Sequence, residues 1–301
     1  MSSVAAPSLI EIRPYLSERQ VADFHAQGYL AIERIISDEE VASIRATLER
    51  LFAARTGRES GDQFDLAGSD DEGKPAGLPQ ILGPSRFAPE LAETTYRAHG
   101  LAIGRQLLTS ATVDAAQVRF GGDHTILKPA RYGKGTPWHQ DEAYWDPWHD
   151  HNSISIWLAL QKTTIHTGCM WFVPGSHRGE ILPHRPINDD PRVHGLELVD
   201  GNITNGVAVE LPAGGAVIHK ERTLHYAAPN TSDIQRYAYI IGFSTPARKR
   251  AVRREVPWQD RQRTPRSDRA RAAAEAKAAA EAQALDAARA ASAAAAAPAT
   301  K

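Results

Sequence analysis

Cysteine is almost missing from this chain: Cys169 is the single one in 301 residues. That excludes an intramolecular disulfide and any multi-cysteine zinc or iron–sulfur site, and it suits a reducing compartment. An excess of charge of either sign is missing too. The 35 basic and 36 acidic residues nearly cancel, so no whole-chain field favours nucleic acid or an anionic membrane, and a small molecule is the expected partner. No run of about 18 apolar residues occurs, as a membrane-spanning helix would need. The N-terminal stretch MSSVAAPSLIEIRPYL carries no basic leader followed by an apolar run. A cytoplasmic, unanchored protein is expected, with its oligomeric state unknown.

What is present is enough apolar residue, 42%, for a sizeable core. Ser17-Glu18-Arg19-Gln20 has the form of a capping box, Val21 and Phe24 follow at helical spacing, and Gly28 can close that helix. Tyr29-Leu30-Ala31-Ile32 reads as a strand. Ser37-x-x-Glu40 repeats the capping signal, and Val41, Ile44, Leu48 and Leu51 form an amphipathic stripe to about Ala54. Residues 56–80, rich in Gly, Asp and Ser, suggest a mobile loop, and 89–110 a further helix. Short β-type runs then follow at 115–121, 124–129, 153–163, 169–173, 206–211, 215–219 and 236–244, which predicts a sandwich or barrel. Residues 1–266 read as one domain. Residues 267–301 form an Ala-rich, low-complexity tail, helical or disordered, without the apolar stripe that a partner-binding helix needs.

The densest chemical signal is Thr136-Pro137-Trp138-His139-Gln140-Asp141. Residues two apart on an extended chain face the same way, so His139 and Asp141 can offer an imidazole nitrogen and a carboxylate oxygen to one ion. His225, in Leu224-His225-Tyr226-Ala227-Ala228-Pro229-Asn230, would complete two histidines and one carboxylate on one face of an octahedron. Non-haem iron(II) oxygenases use that set, which leaves the opposite positions open. Alone, a His-x-Asp pair is expected roughly once by chance in a chain of this composition. His149-Asp150-His151 and His219-Lys220-Glu221 are rivals, and the first resembles the paired histidines of a cupin metal site. Arg236 weighs in favour of the oxygenase set. It opens the strand Arg236-Tyr237-Ala238-Tyr239-Ile240-Ile241, and a planar guanidinium there can hold the far carboxylate of 2-oxoglutarate bidentately.

From about Ser17 to Thr245 the sequence resembles the phytanoyl-CoA dioxygenase family. The resemblance rests on ordered blocks: Ser-Glu-Arg-Gln-Val…Phe-x-x-x-Gly28-Tyr29, Leu127-Lys128-Pro129, Thr136 to Asp141, Gly168-Cys169-Met170-Trp171-Phe172-Val173-Pro174-Gly175-Ser176-His177, and His225…Pro229-Asn230…Arg236. It implies a mainly β fold with flanking helices around a double-stranded β-helix, the cupin-like jelly roll. It further implies that His139, Asp141 and His225 bind Fe(II), that Arg236 pairs with 2-oxoglutarate, and that Thr136 and Trp157 line the co-substrate pocket. O2 is the other co-substrate, and succinate and CO2 are the expected products. Where relatives often carry a small hydroxyl residue this chain has Ala227, so Tyr226 or Thr136 would have to replace a hydrogen bond to the co-substrate. Halogenating relatives lack the carboxylate, so Asp141 implies oxygen transfer, with hydroxylation of an aliphatic carbon of a small metabolite or natural product as the default. A cupin-like metal enzyme of other chemistry and a non-catalytic jelly-roll binding module are the alternatives.

Overall fold

A computed structural model describes residues 15–296, with side chains to residue 289. The N-terminal stretch read above for a leader falls mostly outside the described residues, as do the last residues of the tail. The front end follows its capping signals. Ser17 caps the helix Glu18–Gln27 reciprocally with Gln20, and Gly28, at φ 83°, closes it in the left-handed region. Ser37 caps Asp38–Ala53, whose Val41, Ile44, Leu48 and Leu51 are buried. The expected 89–110 helix is divided: Pro89–Glu93 makes a 3-10 turn, then Thr94, in an extended conformation, caps Thr95–Leu108.

Two antiparallel sheets face each other. The larger has seven strands in the order Tyr29–Ile32, Ala216–Lys220, Ser153–Ala159, Arg236–Ser244, Arg119–Lys128, Pro79–Leu82 and Gln63–Asp65. The smaller runs Val207–Val209, Met170–Phe172, His225–Ala227 and Thr136–His139. This is the jelly roll that the resemblance implied, and it falls within the sandwich-or-barrel class predicted from the strand spacing. The central strand Ser153–Ala159 is buried on both faces. Ile154, Ile156 and Leu158 pack outward under the helices with Phe24, Leu48 and Tyr96. Trp157 and Ala159 turn inward against Met170 and Phe172 of the smaller sheet. Alternation along this one strand therefore separates structural core from barrel interior.

Two local expectations change. The runs 115–121 and 124–129 are not two strands: Ala115–Gln117 is a 3-10 turn and Arg119–Lys128 one strand, whose register shifts near Gly122, at φ 135°. The glycine pair marks a bulge rather than a turn. Residues 56–80 are stitched down. The Asp65 carboxylate accepts N–H groups of Ala67, Gly77 and Leu78 at 2.9–3.2 Å, and Arg58 pairs with Asp70 at 2.5 Å and Glu72 at 2.6 Å. Lys128, in one of the resemblance blocks, is fully buried, its ammonium donating to the carbonyls of Lys134, Ala227 and Ala228.

The tail forms a helix, Pro265–Ala296. Its first turns dock on the 56–72 region: Arg269 pairs with Asp70 and donates to the Arg58 carbonyl, and Arg266 lies over the Phe64 ring. Among the described residues no helix is long and apolar enough to cross a membrane.

Candidate active site

Pairing in the smaller sheet brings the two histidines together. His225 is the direct antiparallel partner of His139, and their ring centroids lie 4.1 Å apart. Asp141, beginning the 3-10 turn Asp141–Tyr144, sets Oδ1 3.4 Å from His225 Nε2 and 3.8 Å from His139 Nε2. One donor atom of each of the three lies within 4.8 Å of the others.

The hydrogen bonds around them leave the right atoms free. His139 Nδ1 donates to the Pro137 carbonyl at 2.7 Å and His225 Nδ1 to the Thr223 carbonyl at 2.9 Å. Each ring thus carries its proton on Nδ1 and turns an Nε2 lone pair toward the other, as metal-ligating histidines do. Asp141 Oδ2 accepts from Ser155 Oγ at 2.9 Å and His219 Nε2 at 3.1 Å, so Oδ1 is the oxygen left to an ion. Burial, reinforced by His225, pulls the His139 pKa down to about 3, which keeps the imidazole neutral. Burial by itself would raise the Asp141 carboxyl, but the neighbouring His225 and the hydrogen bond from His219 hold it well below the usual carboxylate range. Two imidazoles, each turning Nε2 inward, and an ionised carboxylate are a donor set fitted to a hard-to-borderline divalent ion such as Fe(II).

Beside them lies a cavity of about 570 Å³, whose lining includes Thr136, His139, Asp141, Trp157, His225 and Arg236. Arg236 is only 1% exposed, and its Nε and Nη1 have no partner among the described residues. Burial lowers its pKa to about 9, and the Trp157 ring lies 5.3 Å from the guanidinium carbon. A buried cation with two idle N–H donors facing a cavity fits an incoming carboxylate. Thr136 sits opposite Ala227 in the sheet, and both line this cavity. Tyr226 points to the other face and stacks on Trp138, so of the two candidate replacements only Thr136 is placed to act.

The rival clusters lie elsewhere or serve other roles. Asp150 is tied to Arg248, Arg250 and Arg254, and His149 Nδ1 lies 2.7 Å from Asp146 Oδ2. His151 lines the same cavity as the triad but, among the described residues, joins no group of donor atoms with it. His219 holds Asp141, while Glu221 accepts the Ser153 N–H at 3.1 Å. Trp148 is 45% exposed, and His177 turns away to the His25 carbonyl. Sequence reasoning missed the supporting pair Ser155 and His219. Ser155 shares the inward face of Trp157, a signal visible in the alternation, but the contact of His219 with Asp141 crosses between sheets and leaves no local pattern. It missed as well His124, Tyr144 and His194, which line the same cavity.

The fold and the donor set together define a non-haem iron oxygenase of the 2-oxoglutarate-dependent class. Residues 24–238 match the phytanoyl-CoA dioxygenase (PhyH) family, and the chain belongs to that family. Among solved structures, EvdO2 from Micromonospora carbonacea var. aurantiaca is 40% identical, covering 81% of this chain and 96% of its own, with a TM-score of 0.71. The same protein complexed with 2-oxoglutarate aligns at 36% identity and TM-score 0.69. The alpha-ketoglutarate-dependent carbocyclase SnoK from nogalamycin biosynthesis is 26% identical over 78% of this chain and 87% of its own, with a TM-score of 0.61. A probable alpha-ketoglutarate-dependent hypophosphite dioxygenase of Stutzerimonas stutzeri is 25% identical over 234 residues, 75% of this chain and 77% of that protein. The chain is a dioxygenase that uses Fe(II), 2-oxoglutarate and O2 and acts on a small molecule.

Proposed function

We propose that His139, Asp141 and His225 hold the iron, that Arg236 pairs with the distal carboxylate of 2-oxoglutarate, and that Thr136 and Trp157 wall the same pocket. On this reading the enzyme hydroxylates an aliphatic carbon of an uncharged natural product or metabolite. The observation that carries it is the unpartnered Arg236 guanidinium in the cavity that the three donors face.

Bound iron supplies activation of O2, coupled to conversion of 2-oxoglutarate to succinate and CO2. The chain's own part is binding and orientation. Backbone carbonyls lock both imidazole tautomers, Ser155 and His219 fix the carboxylate through Oδ2, and Arg236 sets how deeply the co-substrate enters. Met170, Ile126 and Ile240 line the inner cavity and exclude water, which strengthens the Arg236 pair.

The substrate's charge is argued from what remains. Arg236 is the one lysine or arginine lining the cavity among the described residues. Asp123, which also lines it, is engaged by the Tyr239 hydroxyl at 2.7 Å and the Ser85 N–H at 3.1 Å. With the co-substrate on Arg236, no cation is left for a second anion. His124 and His194, both kept neutral chiefly by burial, suit hydroxyl or carbonyl groups instead. SnoK's place in nogalamycin biosynthesis supports a natural-product substrate. The buried, unpaired Cys169 suits a reducing, cytoplasmic setting, and residues 1–266 form the catalytic unit to which 267–301 is appended. Succinate release under O2, lost in His139→Ala, tests the assignment. Neutral natural products are expected to stimulate it and acyl-CoA thioesters to leave it at the uncoupled rate; stimulation by a thioester alone contradicts the uncharged substrate.

A further inference from the structure

The turn that follows Asp141 is held from an unexpected direction. Residues 141–151 supply Asp141 to the triad and Tyr144, Trp145 and His151 to the cavity wall. Their backbone is gripped by a segment near the C-terminal end of the barrel, beyond residue 238 where the family match stops. Arg248–Lys249 pairs with His149–Asp150 as a two-stranded ribbon. Arg250 N donates to the Trp148 carbonyl at 2.8 Å and Arg254 N to the Pro147 carbonyl at 3.0 Å. Trp258 Nε1 and Gln259 Nε2 both donate to the Ala143 carbonyl at 2.9 Å, and Gln259 Nε2 also reaches the Trp145 carbonyl at 2.9 Å.

Charge completes the grip. The Glu142 carboxylate, next to Asp141, is wholly buried between Arg222 of the barrel and Arg254, whose Nη1 lies 3.1 Å away. Arg254 Nη2 reaches Asp150 at 3.3 Å, so one guanidinium ties both ends of the 141–151 strap. A buried carboxylate in this position is expensive unless fully paired, which makes Arg254 a condition for the turn's geometry.

We infer that the segment 248–262 is a clamp, with Arg254, Trp258 and Gln259 as positioning residues for Asp141 and for the Tyr144–Trp145 wall. This rests on Asp141 being an iron ligand. The clamp acts on iron because outer partners that orient a ligand typically change metal affinity by about 10- to 100-fold.

The test is anaerobic titration of the full chain with iron(II), alone and with 2-oxoglutarate, on wild type, Arg254→Met, Arg254→Lys and Trp258→Phe, with Tm and far-UV circular dichroism recorded on each. Arg254→Met is expected to weaken iron binding about 10-fold or more and Arg254→Lys to recover part of it, since an ammonium can serve Glu142 but not span to Asp150. Trp258→Phe keeps an aromatic ring of smaller size and loses the N–H, so it gives a smaller loss in the same direction and stands in if Arg254→Met does not fold. Variants that lose only Tm while binding iron like wild type overturn the clamp. Absence of iron binding in wild type itself overturns the triad assignment, a separate result.

Discussion

Arg236 is stabilised by nothing the protein supplies on its Nε and Nη1, so its charge is a burden until a carboxylate arrives. Arg236→Met is therefore predicted to leave the Tm of the unliganded protein unchanged or raised, because an isolated buried cation is replaced by a group of similar length without charge. The same change is predicted to weaken 2-oxoglutarate binding by about 2–3 kcal/mol, roughly 30- to 150-fold, the worth of charge-assisted hydrogen bonds. Calorimetric titration and a melting curve check both halves. A large fall in Tm would mean the guanidinium is structural. At this scale the site was readable where chemistry follows residue type and spacing: His139, Asp141, His225 and Arg236 meet at one cavity as their motifs suggested. His219 was visible only as a rival ligand, because its bond to Asp141 Oδ2 depends on how the sheets face each other.

Among the elements, the first two helices and the central strands of the larger sheet were legible because burial imposes a period. The Val41, Ile44, Leu48 and Leu51 stripe and the two faces of Ser153–Ala159 are direct consequences. The three- and four-residue strands His225–Ala227 and Thr136–His139 are too short to show one. Residues 56–80 misled for a different reason: their order comes from ion pairs and from the Asp65 carboxylate, which composition does not reveal. Asp70 joins Arg58 to Arg269 of the C-terminal helix. Asp70→Ala is predicted to lower stability by about 3 kcal/mol, since Arg58 is left buried with Glu72 as its remaining carboxylate. Chemical denaturation measures this, and a change under about 0.5 kcal/mol, the range of an ordinary surface substitution, would mean the pairs are ornamental.

Over the whole molecule, burial keeps several imidazoles neutral. It lowers His139 to about 3, His194 to about 3 and His184 to about 4, against about 6.5 in an unfolded chain. Between those values the unfolded state binds more protons than the native one, so stability falls as pH drops from about 6.5 toward 4. The Asp141 carboxyl, also held low, adds loss in the same direction at the acid end. The Tm of the metal-free protein is predicted to be flat above pH 7 and to decline steadily below 6.5; a Tm unchanged down to pH 4.5 would show that these rings are solvated. The proposed iron site inherits the benefit, because His139 need not shed a proton to bind at neutral pH.

The most direct measurement is the visible charge-transfer absorption that forms when iron(II) and 2-oxoglutarate are added together without oxygen. The account predicts the band in wild type, its loss in His139→Ala, Asp141→Ala and His225→Ala, and its survival in His149→Ala and His151→Ala. A folded wild-type protein that shows no band, or one that is kept when His139 or His225 is removed, contradicts it.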